Sequence, residues 1–403
     1  MARSPMSPNQ PSPSSTAPTS RREFIKTTLG GTLLAAGAVH PPVRAAAPAL
    51  PATFPLFHAR GTPRELGRLH GEQAAGFIGA HLDYLRTTMR IGREELETRA
   101  RRFRPLFTEH CPHLLEEING LAEGARISEA EALAVNLRGV LGRTAGDGCT
   151  AFAIDPQGTA DGGILIGQNS DMLPIVTTFG YVLHLQPRDR PEILMWTFGG
   201  MIGYHGLNRH GVAHFANDLG GGPGTRFALP HYPLKRLMLE CRTLEEIEAL
   251  FHRYPLWANG NYVVCDGLGR ILDIEATTAG PEMIRDAGAG FLVHSNHFLS
   301  PRYATAENHA RSAPDSIPRQ QRMERLIAGR FGRTTLADVQ RYLRKSERAV
   351  GGICRLAQTT DPAADWVTAG ITVASLIADP SQGRLHVAAG NDPANPWVAY
   401  PFN

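Results

Sequence analysis

Two hydrophobic rhythms divide the chain. From Thr62 onward, apolar residues recur at intervals of three and four, the spacing that lays one stripe along a helix. After Cys149 they come in short runs broken by Gly, Asp, Asn and Pro, the rhythm of strands and turns. Thr62-Pro63-Arg64-Glu65 reads as a capping box with proline at the first helical position, and predicts a helix over Pro63–Met89. Further helices are expected over Arg93–Phe107, Pro112–Ala122 and Glu129–Leu137, the last opened by Ser128 and Glu131. The strands predicted next are Thr150–Asp155, Ile164–Gln168, Tyr181–Gln186, Ile193–Thr197 and Gly211–Ala216. Leu234–His252 is helical and split near Thr243; Tyr262–Cys265, Ile271–Ala276 and Phe291–His294 return to strand. Helices over Gln320–Gly329 and Leu336–Lys345 precede a closing hairpin, Ile371–Ile377 and Leu385–Ala389, around Pro380-Ser381-Gln382-Gly383. Blocks of strands alternating with blocks of helices predict a layered α+β fold rather than βαβ winding. No internal repeat is evident.

The first 47 residues break this pattern. Ser20-Arg21-Arg22-Glu23-Phe24-Ile25-Lys26, then a modestly apolar run from Thr27 to Val39, then Val43-Arg44-Ala45-Ala46-Ala47, reads as a twin-arginine export signal with a small-residue cleavage region. The Pro- and Ser-rich stretch before it is expected to be disordered leader. The expected organisation is therefore a leader over residues 1–47, a helix-rich segment over 48–148 and a strand-rich segment over 149–403, in a protein exported to the periplasm or beyond. The formal charge is +3. The leader holds five basic residues against Glu23 alone, a net of +4, so the remainder carries −1. A near-neutral body with no basic patch gives no reason to expect nucleic acid. No stretch of it is long and apolar enough to predict a membrane span. A chain that folds before export meets a reducing cytosol, so Cys111, Cys149, Cys241, Cys265 and Cys354 are expected to form few or no disulfides.

The two rhythms meet at Asp147-Gly148-Cys149-Thr150. If the Gly148–Cys149 bond breaks, Cys149 gains an α-amine beside its own thiol. The amine's ordinary pKa is about 8 and the thiol's about 8.5, so the amine can act as general base for the thiol near neutral pH. Gly148 suits a scissile position because it has no Cβ and tolerates strained dihedrals. Other polar strings stand out downstream: Gly167-Gln168-Asn169-Ser170-Asp171-Met172, Gly206-Leu207-Asn208-Arg209-His210-Gly211, His294-Ser295-Asn296-His297-Phe298, Ile353-Cys354-Arg355, and Leu385-His386-Val387-Ala388-Ala389-Gly390-Asn391. Gly220-Gly221-Gly222-Pro223-Gly224 lacks the Lys-Ser/Thr ending of a phosphate cradle and reads as a mobile loop. His294 and His297 lack an evident third ligand for a metal.

Together these strings resemble the penicillin acyltransferase family of self-cleaving N-terminal-nucleophile hydrolases, over essentially residues 55–403. Choloylglycine hydrolases and acid ceramidase are more distant relatives. The resemblance implies a four-layer αββα sandwich, autocleavage between Gly148 and Cys149, and chemistry on amide-linked acyl groups. It implies Cys149 as nucleophile and, through its amine, base. It implies Asp171 as the aspartate orienting the amine or the thiol's surroundings, Asn296 as an oxyanion-hole donor and Arg355 as a guanidinium near the nucleophile. The chain departs from the family at Ser170, where an aromatic residue is common. The implied partner is a small-molecule N-acyl amide, with the 48–148 chain paired to the 149–403 chain and no cofactor or metal. An acyltransferase using a thioester or amide donor is the alternative, and a non-catalytic binding protein on the same fold a second one.

Overall fold

The computed structural model describes residues 50–142, 148–346, 351–359, 361 and 366–402; the leader and Asp147 lie outside them. Before Cys149 stand β1 (Leu56–Gly61), α1 (Pro63–Met89), α2 (Arg93–Arg101), α3 (Arg104–His110), α4 (Pro112–Ala125) and α5 (Glu129–Val135). Then come β2 (Gly148–Ile154), β3 (Leu165–Met172), β4 (Gly180–Pro187), β5 (Ile193–Phe198), β6 (His205–Asn208) and β7 (Ala213–Asp218). α6 (His231–Met238) and α7 (Leu244–Arg253) lead to β8 (Gly260–Cys265), β9 (Ile271–Thr277), β10 (Gly280–Ile284) and β11 (Phe291–His294). α8 (Ala306–Ala310), α9 (Ser316–Ala328), α10 (Leu336–Leu343) and α11 (Trp366–Ala369) precede β12 (Ile371–Asp379), β13 (Arg384–Ala389) and β14 (Trp397–Pro401).

Local chemistry sets several of these bounds. Thr62 caps α1, with its hydroxyl on the Glu65 N–H and the Glu65 carboxylate returning to the Thr62 N–H at 2.7 Å. Ser128 and Glu131 form the same box on α5. The single helix expected over Arg93–Phe107 is two, because Pro105 has no N–H to give and clashes with a preceding turn. Pattern reading missed β1, β6, β10 and β14. Each is only four to six residues long, and β1, β6 and β10 also carry glycine, so the alternation is too brief to stand out.

Eight strands form one sheet in the order β1-β4-β5-β6-β7-β8-β9-β10, antiparallel except that β1 runs parallel to β4. Six form the other, β11-β2-β3-β12-β13-β14, antiparallel throughout. The sheets face each other: the Gln168 amide on β3 donates to the Ala216 carbonyl on β7 at 2.7 Å, and His294 on β11 meets Glu275 on β9 at 2.9 Å. α1 covers the outside of the larger sheet, where His70 Nε2 lies 2.6 Å from the Tyr181 hydroxyl, and α6 covers it where His214 meets the Lys235 carbonyl. α9 and α10 cover the smaller sheet around Phe152, Val293, Met323, Val339 and Leu343. The result is a four-layer αββα sandwich. β2 and β3 are buried on both faces, as strands inside a four-layer stack must be.

The segment before Cys149 is helix-rich as expected, yet it also supplies β1 to the larger sheet and shares the main apolar core with the strands that follow. Residues 48–403 are one compact unit. The Gly220–Gly224 loop has its carbonyls held by Asn259 at Gly221 and Pro223, and its Gly222 N–H held by Asn308 at 2.8 Å. Among the described residues no helix is long and apolar enough to cross a membrane.

Candidate active site

Cys149 is the second residue of β2, paired with Ser170 on β3, while Gly148 pairs with Asp171. Side chains alternate along a strand. Cys149 therefore points between the two sheets, and Thr150 and Asp171 point toward the α9–α10 layer. On the inner side Cys149 lines a cavity of about 470 Å³. Tyr204, Tyr232, Trp257 and Tyr262 supply much of its wall, and Arg138 and Lys235 add positive charge. Lys235 Nζ lies 4.5 Å from the centre of the Tyr204 ring and 3.2 Å from His205 Nε2. Burial, then the Lys235 charge, pushes His205 far below the usual histidine range, so the imidazole stays neutral and accepts. Phe227, half exposed, packs against Phe103 and against Trp257 of the cavity wall.

Three of the residues picked out in the sequence converge behind Cys149. The Cys149 N–H donates to Asn296 Oδ1 at 3.0 Å. The Asn296 NH2 donates to the Asp218 carbonyl at 3.0 Å, and its own backbone N–H is held by Ser316 Oγ at 2.7 Å. Ser295 Oγ donates to the Cys149 carbonyl. Asp171 lies fully buried on the other side of β3, with Oδ1 accepting from Thr372 Oγ1 at 2.7 Å and Oδ2 4.0 Å from Arg355 Nε. Burial raises the Asp171 carboxyl to about 6, against the opposing pull of Arg319 and Arg355. Arg355 forms its closest ion pair with Asp315.

Sequence reasoning missed Arg319, the arginine that touches the Cys149 backbone. It lies on the buried face of α9, has no solvent exposure, and donates to the Cys149 carbonyl, to Thr150 Oγ1 at 2.7 Å and to Asn296 Oδ1 at 2.8 Å. Its counter-ion is Asp315 at 3.3 Å, which Arg355 also holds. Burial alone would raise Asp315, but Arg319 and then Arg355 hold it below the usual carboxylate range. No motif flags Arg319 in the sequence; its only signal is a charge on the inward stripe of an amphipathic helix. His294 is bound to Glu275 and His297 to Ser316. Among the described residues no cluster of three or more His, Cys, Asp or Glu is placed to hold a metal ion. All five cysteines are buried and carry thiols rather than disulfides.

A cysteine thus opens a central strand of the αββα sandwich, faces a cavity and is backed by an asparagine. Residues 158–392 match the family model of acyl-coenzyme A:6-aminopenicillanic acid acyl-transferase, and the chain belongs to that family. It is 28% identical over 281 residues to the acyl-coenzyme A:6-aminopenicillanic-acid-acyltransferase 40 kDa form of Emericella nidulans, covering 67% of this chain and 76% of that one. Two solved structures are similar at low identity. A variant of conjugated bile acid hydrolase from Clostridium perfringens is 11% identical, with a TM-score of 0.47, over 63% of this chain and 92% of that one. Penicillin V acylase from Agrobacterium tumefaciens has a TM-score of 0.40, over 64% and 78%.

Proposed function

We propose that the chain is a self-activating cysteine amidohydrolase that cleaves an N-acyl bond through an acyl-enzyme on Cys149. The observation that carries this reading is the placement of Cys149, directly after a glycine, with its side chain on the cavity and its backbone nitrogen held by Asn296. That nitrogen would become the α-amine once the Gly148–Cys149 bond is cut. In maturation the Cys149 thiol adds to the Gly148 carbonyl and displaces its own backbone nitrogen, giving a thioester; water then releases the Gly148 carboxylate and leaves the free amine. In turnover the amine takes the thiol proton, and the thiolate attacks the substrate carbonyl. The amine returns the proton to the departing nitrogen, and water hydrolyses the thioester.

Asn296 supplies an N–H to the oxyanion. One N–H of that group is held by Asp218, which leaves the second on the same nitrogen for this task. Asp171 sits behind the nucleophile's strand, and Arg355 ties Asp171 to Asp315. The aromatic wall fits an apolar or ring-bearing acyl group, so the substrate is a small N-acyl amide. No cofactor enters the mechanism. The segment before Cys149 stays paired with the segment after it, and residues 1–47 direct export by the twin-arginine route. Export is tested by changing both Arg21 and Arg22 to Lys: the protein should stay in the cytoplasm, and normal export of the double variant counts against the assignment.

The second reading is acyl transfer from a thioester or amide donor to an amine, favoured by the acyltransferase relative. It uses the same acyl-enzyme and differs only in whether water or an amine resolves it. Product analysis with an N-acyl amide panel, with and without an added acceptor amine, separates the two. Free acid as the main product at millimolar amine supports hydrolysis; quantitative transfer to the amine overturns it in favour of transfer.

A further inference from the structure

We propose that Arg319 is a positioning residue that fixes which end of the Asn296 amide faces the nucleophile. The inference rests on the roles of Cys149 and Asn296 given above and goes beyond them. An asparagine side chain can turn over by exchanging its oxygen and its NH2, and here only one arrangement fits. The Asn296 oxygen accepts both the Cys149 N–H and an Arg319 N–H. A flipped amide would set its NH2 against those two donors and lose the Asp218 carbonyl as acceptor. The NH2 end is thereby held away from the backbone of β2, with the donors needed to stabilise negative charge. The guanidinium has a fixed forked geometry. One arm reaches the Cys149 carbonyl and Thr150 Oγ1 while the other reaches Asn296 and Asp315, so β2 and the Asn296 side chain are locked to a single rigid group.

Burying this charge is costly without partners, and Arg319 is completely buried. Asp315, the N-cap of the same helix and one turn earlier, meets the charge, and a second arginine on Asp315 keeps that carboxylate in place. A buried arginine with three acceptors on the nucleophile strand and its asparagine is more than packing requires. An apolar residue at position 319 would fill the same space on α9 without needing a counter-ion.

A kinetic cycle tests this, using full-length protein shown by intact mass to be cut before Cys149. The variants are Arg319→Gln, Arg319→Lys, Asn296→Ala and the double Arg319→Gln/Asn296→Ala. Arg319→Gln should lower kcat by about tenfold to a hundredfold, the usual effect of a small misplacement at a reacting centre. KM should move by less than about threefold, because the lost alignment matters mainly in the transition state. Arg319→Lys, which keeps a donor but not the fork, should fall between Gln and wild type. In the Asn296→Ala background, Arg319→Gln should cost less than about threefold more, since the two act through one group. If Arg319→Gln does not fold, the Lys variant carries the same cycle. A folded, cut Arg319 variant with wild-type kcat, or costs that multiply in the double variant, overturns the inference while leaving the cysteine mechanism standing. Activity retained by Cys149→Ala overturns the mechanism itself and this inference with it.

Discussion

A carboxyl group buried as completely as that of Asp171 carries its own pH signature. Its value in the fold is about 6, against about 3.9 for an ordinary aspartate, because burial disfavours the charge more than Arg319 and Arg355 restore it. A raised carboxyl stabilises the fold fully below about pH 4, and that contribution is lost as the pH rises through the folded value. The amount is on the order of 2–3 kcal/mol. Asp171→Asn removes it, so urea unfolding should show the variant gaining on wild type by that order between pH 4 and 7. A difference that stays constant with pH would refute the assignment. Asn296→Ala should lower kcat about a hundred- to a thousandfold in cut enzyme, the cost of one oxyanion donor, with a smaller change in KM. A cut, folded variant within about threefold of wild type, far short of that cost, removes Asn296 from the mechanism. At this scale the polar strings that hold Cys149, Asp171 and Asn296 stood out in the sequence because each lies at a strand end, and the fold brings the three strings together. Arg319 was not, because Cys149 and Asn296, which it holds, are far from it in the chain and meet it only through the docking of α9 on β2.

Elements show the same division between local and distant causes. α1 matched its expected bounds because Thr62, Pro63 and Glu65 settle its start within four residues. Its packing on α4 was hidden, since it depends on glycines in both helices. A Cβ at Gly67 would stand 1.8 Å from the Glu117 carbonyl, and Cβ atoms at Gly120 and Gly124 would meet the Arg64 and Arg68 carbonyls at 2.1 Å. The two backbones touch, and any side chain must push them apart. Gly67→Ala should cost at least about 2 kcal/mol, as overpacking against an unyielding backbone does. Gly76→Ala, on the exposed face of the same helix with nothing near its Cβ, should instead gain up to about 1 kcal/mol from helix propensity. Equal melting temperatures for the two variants would contradict this account of the α1–α4 contact. The sheet order lay beyond pattern reading for a related reason: β1 pairs with β4 across most of the helical segment, and no local signal announces a partner that remote.

For the whole molecule, the boundary at Cys149 is a change of rhythm along the chain and not a boundary in space. β1 is paired parallel to β4 from Leu56 to Gly61, the Tyr400 hydroxyl donates to the Phe54 carbonyl at 2.7 Å, and one apolar core runs through both segments. If the chain is cut at Gly148–Cys149, the two pieces should therefore co-elute on size exclusion in native buffer and separate only in denaturant. Separation under native conditions would contradict the shared core. Activity should also survive exhaustive chelation, because the proposed chemistry needs only a thiol, an amine and an N–H donor; loss with chelator and recovery with zinc would count against it. The central claim is that Cys149 becomes an N-terminal nucleophile by cutting the bond before it. Intact-mass measurement of purified wild-type protein beside Cys149→Ala tests it most directly. The account predicts two wild-type chains, the second beginning at Cys149, and a single uncut chain for Cys149→Ala. A fully active wild-type protein of one unbroken mass through Gly148–Cys149 would contradict it.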